Sequence, residues 1–253
     1  MLEEDASQAS NYEYNSEYQR NGGIEMIDML VVKKGSTILD LGCGIGNLTK
    51  RLSERVGPEG KVVAVDPDGD RLRIARERYS ASNVEFIQAD DKTFPAGQYD
   101  VIFSNAVIHW ISDKEALYRR VYENLRPNGQ FAFTTPDGFF PTPAIGEKLF
   151  DKLVCPGFLY QMFHEKMILL NANEYEGLAS ATGFAEVFTT TRDIHVEWEN
   201  LDSYIAAMHG WFQGEFDPTQ FNKDDLKELK EEHGDGPVLL PEPHRRLYII
   251  LTK

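Results

Sequence analysis

"ILDLGCGIGNLTK", residues 38–50, ends an apolar run in three alternating glycines, Gly42, Gly44 and Gly46, and then opens into an amphipathic stretch. A strand that closes in a glycine turn and feeds a helix brings main-chain N–H groups and a helix N-terminus up to a ligand. The spacing is not the dinucleotide fingerprint G-x-G-x-x-G, because Asn47 stands where the third glycine of that pattern falls. Asp40 lies at the strand end, two residues before Gly42. A carboxylate there repels a pyrophosphate and accepts hydrogen bonds from a cationic amino group. The turn therefore asks for a nucleoside-like ligand, cationic at one end and without phosphate.

Short apolar runs alternate with amphipathic stretches through the first 135 residues, the pattern of βαβ units. Strands are expected at 37–41, 62–66, 84–88, 100–105 and 130–135, apolar nearly throughout, as in a parallel sheet covered on both faces. Helices are expected at 24–34, 46–56, 69–80 and 113–125, closed by Gly, Pro and Asn signals such as "VGPEG" and "RPNG". Past residue 136 the pattern loosens into helices near 144–154, 172–181 and 200–212 and two more strands, 186–198 and 246–252. The charged stretch 213–240 reads as a solvated helix face and loop. This is an α/β chain with a doubly wound sheet of seven strands.

Composition bounds the function. Of 253 residues, 41 are Asp or Glu and 26 Lys or Arg, a formal charge of −15 that disfavours nucleic acid as a partner. No run of 18 apolar residues and no basic leader followed by an apolar stretch is present, so the expectation is a cytoplasmic protein with no membrane partner. Cys43 and Cys155 are too few for a disulfide framework, and no His or Cys spacing suggests a metal site.

S-adenosylmethionine meets the demands of the turn, and "LDLGCGIG" resembles motif I of the class I S-adenosylmethionine-dependent methyltransferases. The remaining motifs of that family follow in order. Asp66, in "VVAVDPD", stands where the family places an acid on the ribose hydroxyls. Asp90, in "FIQADD", resembles the acid at the adenine amino group. "FSNAVIHW" resembles motif IV, and "LRPNGQFAF" resembles the exit into the fifth strand, with Asn128 for a glycine at a left-handed position that Asn tolerates. The resemblance implies a Rossmann-like sheet, mostly parallel with an antiparallel last strand, plus a helical lid. It implies S-adenosyl-L-methionine as cofactor, held by Asp40, Gly42, Gly44, Gly46, Asn47, Asp66, Pro67, Asp90, Asp91 and Asn105. The expected division is a capping segment at 1–23, a cofactor-binding core at 24–135, a lid with the sixth strand at 136–240, and the final strand at 241–253.

No N-P-P-Y/F sequence follows the fourth strand, which together with the acidic charge points to a small-molecule acceptor. "VIHWISDKEALYRRVYENLRPNG" and "YNSEYQRNG" are similar to segments of the juvenile hormone acid and trans-aconitate methyltransferases, both of which esterify carboxylates. That likeness implies catalytic roles for Gln19, His109 and Trp110. The Trp110 indole and the Gln19 amide are neutral donors that can orient a carboxylate, and His109 would be a base if the nucleophile were an amine or hydroxyl. Tyr12, Tyr14 and Tyr18 could close over the cofactor. Phe139, Phe140, Phe158, Tyr160, Phe163, Trp211 and Phe212 would wall a pocket for a lipophilic acid if they converge. Rival readings are an N-methyltransferase for a small amine and a catalytically silent cofactor-binding protein. The expected assembly is a monomer or weak dimer.

Overall fold

The computed structural model describes residues 17–212 and 215–253. Tyr12, Tyr14 and most of the 1–23 capping segment lie outside the described residues, as does the Tyr18 side chain. Helix α1 (Glu17–Met29) precedes β1 (Thr37–Leu41), α2 (Asn47–Val56), β2 (Lys61–Asp66), α3 (Gly69–Arg78), β3 (Val84–Gln88) and β4 (Tyr99–Asn105). Next come a 3₁₀ turn (Ile108–Trp110), α4 (Lys114–Asn124), β5 (Leu125–Pro136), α5 (Ala144–Leu153), a helical stretch at 158–166 and α6 (Ala172–Thr182). The chain ends with β6 (Glu186–Ile194), β7 (Glu197–Trp198), α7 (Leu201–Trp211), α8 (Lys223–His233), β8 (Val238–Leu239) and β9 (His244–Thr252).

Seven strands form one sheet in the order β3-β2-β1-β4-β5-β9-β6. Strands β1 to β5 run parallel, and β9 lies antiparallel on β5. Alternate residues bury on opposite faces. Leu39, Leu41, Val63, Ile102, Phe131, Phe133 and Ile249 pack with Leu117, Tyr118, Tyr175 and Ala179 of α4 and α6. Ile38, Val62, Val101, Phe103, Ala132 and Ile250 pack with Met26, Ile27, Leu52 and Val56 of α1 and α2. Each fully buried side chain of this size stabilises by roughly 1.5–3 kcal/mol. Reversal of strand order at β1/β4 opens a crevice at the carboxyl ends of these strands, the ligand position of doubly wound sheets.

The chain divides into two compact units: a sheet unit (Gln19–Gly138, Leu169–Arg192, Arg246–Lys253) and a helical unit built from Phe139–Ile168 and Asp193–Arg245. Inside the helical unit, Phe150, Phe158, Phe212 and Phe216 stack on one another in edge-to-face and parallel contacts. The expected aromatic wall is corrected here. Phe158 and Phe212 are core, while Phe139 and Tyr160 are 59% and 64% exposed, so the seven rings do not converge on one pocket.

Three further expectations change in detail. The 186–198 strand breaks after Ile194, because Glu197 and Trp198 pair with Leu239 and Val238 in a separate two-stranded sheet. Helix α1 covers Glu17–Met29 and not 24–34, running through Gly22 and Gly23. A Cβ at Gly22 would overlap the Arg246 guanidinium, and one at Gly23 would overlap Leu48 and press on Asn105 at 3.0 Å. Within the charged stretch, α8 is pinned to α5 and α7 by Lys152–Glu228 at 2.7 Å and Lys230–Asp202 at 2.7 Å.

Candidate active site

The three glycines that open the crevice are required for three different reasons. Gly42, at φ 79°, lies under Val107, whose methyl groups occupy the place of any Cβ. Gly46 packs α2 against its neighbours, since a Cβ would stand 2.9 Å from Tyr79 and 3.2 Å from Ala75. Gly44, at φ 55°, has nothing within 4 Å of its Cβ position and borders open space. Four donors of the turn are already used. Gly42 and Cys43 donate to the Val65 carbonyl at 2.8 and 2.9 Å, Gly46 donates to Cys43 at 3.0 Å, and Gly44 donates to Asp66 Oδ2 at 2.8 Å. A pyrophosphate needs such N–H groups unspent; this loop holds them on β2.

Two carboxyls lie beneath the turn. Asp40 is buried, accepts from Thr49 Oγ1 at 2.6 Å and is pushed up to about 7, first by burial and then by the nearby Asp66. Asp66 is buried at the end of β2 and also raised, chiefly by desolvation, although the Gly44 and Asp68 N–H groups and Arg71 oppose the shift. Burial likewise pushes the Cys43 thiol far up, which leaves it unreactive. Around Asp40 the described residues contribute a hydroxyl and a second acid but no cation. A cationic amine is the ligand group that relieves Asp40, and a diol can donate to Asp66.

After β3, Asp90 Oδ1 accepts from Lys92 N, Thr93 N and Thr93 Oγ1 at 3.0, 2.9 and 2.6 Å, which holds its carboxylate below the usual range. Beside it, Asp91 is raised by partial burial and by Asp90. Asn47 Oδ1 accepts from the Tyr79 hydroxyl at 2.6 Å, and the Pro67 carbonyl accepts from Gln88 at 2.9 Å. Thr49, Tyr79 and Gln88 were not singled out in the sequence. Only Thr49 carried a signal, lying nine residues after Asp40 on the first turn of α2.

At the end of β4, Asn105 Oδ1 accepts from Thr134 Oγ1 at 2.7 Å while its Nδ2 donates to the Gln19 carbonyl at 3.2 Å. Gln19 and Asn105 are thereby brought together. Ala106 follows with φ 55°, a non-glycine residue in the left-handed region, fixed by donation to Thr134 at 3.1 Å. That bend leads into the 3₁₀ turn Ile108–Trp110. His109 is buried with Nδ1 3.3 Å from Thr135 Oγ1, and its ring lies 5.5 Å from that of Trp110. Lys114 Nζ, also buried, donates to the Ile108 and Ile111 carbonyls at 3.2 and 2.7 Å, and burial lowers its amine to about 8. Neither Lys114 nor the Thr134–Thr135 pair stood out in the sequence, because their partners come from other elements.

Together these residues fit S-adenosylmethionine: desolvated acids for an amine and a diol, and a glycine turn whose Gly42, Cys43, Gly44 and Gly46 donors are spent within the protein. Among the described residues no group of three or more His, Cys, Asp or Glu could hold a metal ion, and no helix is long and apolar enough to cross a membrane.

The sequence model of the family described as a methyltransferase domain matches residues 32–205. A trans-aconitate 2-methyltransferase of Afipia carboxidovorans is 30% identical over 239 residues, 85% of this chain and 87% of that protein. A malonyl-[acyl-carrier protein] O-methyltransferase of Acetivibrio thermocellus is 35% identical over 130 residues, 50% of this chain and 46% of that protein. In fold the chain is similar to phosphoethanolamine N-methyltransferase 2 of Haemonchus contortus, solved with S-adenosyl-L-methionine, at a TM-score of 0.64 and 19% identity over 98% of this chain and 57% of that one. By sequence and fold, the chain belongs to the class I S-adenosylmethionine-dependent methyltransferases, near the trans-aconitate methyltransferases.

Proposed function

We propose that the chain methylates a carboxylate oxygen of a small acid. When bound, S-adenosylmethionine supplies an activated methyl group on a sulfonium. Asp40, Gly42, Gly44, Gly46, Asn47, Asp66, Pro67, Asp90, Asp91 and Asn105 are proposed to hold it, with Asp40 and Asp66 taking the amino and ribose ends. Trp110 and Gln19 would orient the acceptor by donating from the turn after β4 and from α1. The observation that carries the reading is the setting of His109, buried and turned onto Thr135. In that setting the ring backs the neighbouring Trp110, whose indole N–H would orient an acceptor that needs no proton removed. A carboxylate, with pKa near ~4, needs no base at neutral pH. The names of two relatives support it, since trans-aconitate and the malonyl group are both acids. We assign the activity to the cytoplasm, consistent with the free thiols Cys43 and Cys155, and keep residues 136–240 as the proposed acceptor-selecting lid.

The test is a panel of mono-, di- and long-chain acids, amines and phenols, scored for labelled methyl product. Esters are expected, with activity nearly flat from pH 6.5 to 9. Trp110→Phe should lower kcat/KM for the best acid by ~10–100-fold and leave cofactor affinity unchanged. Methylated amines with no ester from any acid would overturn the carboxylate assignment. The chain-length series reads whether the acid is lipophilic.

A further inference from the structure

Strand β6 closes one side of the main sheet, and among the described residues no strand pairs with its outer edge. Beside that edge lies a groove of about 570 Å³ lined by Met29, Gln130, Phe188, Thr190 and Ile250. Exposed apolar side chains gather there. Phe188 is 52% and Val187 38% exposed, and Glu186, Arg192 and Thr252 complete the lining. An apolar patch on an open strand edge is a template for another strand.

We propose that a second copy of this chain occupies it, the two β6 strands pairing antiparallel about Thr189. The register follows from hydrogen-bond parity and charge. Ala185, immediately before β6, donates its N–H inward to the Thr252 carbonyl at 2.8 Å. Alternation then directs the main-chain groups of Glu186, Phe188, Thr190 and Arg192 outward. Only registers that pair even residues with even residues are open to a symmetric partner. Among these, the one centred on Thr189 sets Glu186 opposite Arg192 at both ends and Phe188 opposite Thr190 between them, with opposite charges facing. Arg192 is available for this. Its Nε holds Glu25 at 2.8 Å and its Nη1 holds Thr190 and Thr191, and the proposed pairing assigns its Nη2 to the partner's Glu186. The apolar groove is closed by the same pairing, since Phe188 of each copy covers part of it. The contact is isologous and self-limiting, which closes the assembly at two copies.

Sedimentation of the full chain over roughly 1–100 µM, the range of a modest interface, tests the pairing. Wild type is expected to dimerise. Glu186→Arg or Arg192→Glu alone should raise the dimer Kd about ten-fold or more by setting like charges opposite each other, and the double variant should return it to within about three-fold of wild type. Phe188→Glu, at an exposed position that folding tolerates, should give a monomer. Calorimetric binding of S-adenosylmethionine and thermal melting show that each variant is folded; loss of the exposed Arg192–Glu25 pair is tolerated by a sheet of this size. A monomeric wild type at the highest concentration, a dimer indifferent to Phe188→Glu, or a double variant weaker than both singles would overturn the proposal.

Discussion

At Asp40 the carboxyl titrates near 7 because burial disfavours its charge and Asp66 lies close by. Its pKa is above the unfolded value of 3.8, so its stabilising contribution is complete below about pH 4 and is lost as pH rises through 7. The cost to the unliganded protein at pH 8 is up to about 4 kcal/mol. Asp40→Asn should therefore raise the melting temperature at pH 8 more than at pH 5. The bound amine reverses the sign, since it favours the ionised acid. Wild-type affinity for S-adenosylmethionine should strengthen between pH 6 and 7.5, and the Asn variant should bind more weakly with that rise abolished. Melting curves and calorimetry across the range decide it; a wild-type affinity unchanged by pH would show that Asp40 does not meet the amine. Asp66 is read by a different change. Asp66→Ala removes the acceptor of the Gly44 and Asp68 N–H groups and is expected to weaken cofactor binding by ~1.5–3 kcal/mol. Equal affinity in that variant would remove Asp66 from the site.

Among the elements, the 3₁₀ turn Ile108–Trp110 is short, follows a strained Ala106, and is held from behind by Lys114. Lys114→Met takes away both bonds to its carbonyls. The expected result is a lower melting temperature and a kcat/KM reduced about ten-fold, with cofactor affinity unchanged, because the turn carries the proposed acceptor contacts and not the cofactor's. Burial sets the amine near 8, below its ordinary 10.5, so the folded protein should gain stability as pH rises between these values, a gain absent from the Met variant. Activity unaffected by the substitution would show that the turn holds its position without the clamp. The same element explains what a sequence reader can and cannot see. Strands β1 to β4 are visible because each is a short apolar run whose burial is decided by its own composition. Lys114 reads as an ordinary exposed helix residue, since only folding brings its amine under two carbonyls. Gly22 and Gly23 read as breakers, costing roughly 0.5–1 kcal/mol each in a helix, yet the helix runs through them because Arg246 and Leu48 leave no room for a side chain. The end of β6 was hidden for a related reason: the partner of Glu197 and Trp198 lies some forty residues further along.

For the whole molecule, the charge of −15 sets a field through which any acceptor must pass. A small anion is repelled and a small cation attracted, and salt screens both. With an acid as acceptor, KM should fall as ionic strength rises from about 10 to 200 mM, where the Debye length shrinks from roughly 30 to under 8 Å. With an amine it should rise. Initial rates at a few salt concentrations with the best acceptor of the panel give the slope, and a KM that climbs with salt for an acid would place a local cationic patch at the entrance.

The spent donors of the glycine turn bear on how such a site resists drift in evolution. An adenine nucleotide shares the adenosine of S-adenosylmethionine, and a side chain that rejects it can be replaced by one base change. Here the rejection is written in main-chain hydrogen bonds from Gly42, Cys43 and Gly44 to β2 and to Asp66. No single codon alters the bonds to the Val65 carbonyl. To turn those two N–H groups toward a phosphate, the loop would have to leave β2. Part of the selectivity against nucleotides is thus inherited with the fold, which leaves the acceptor side free to diversify while this part of the donor side stays fixed.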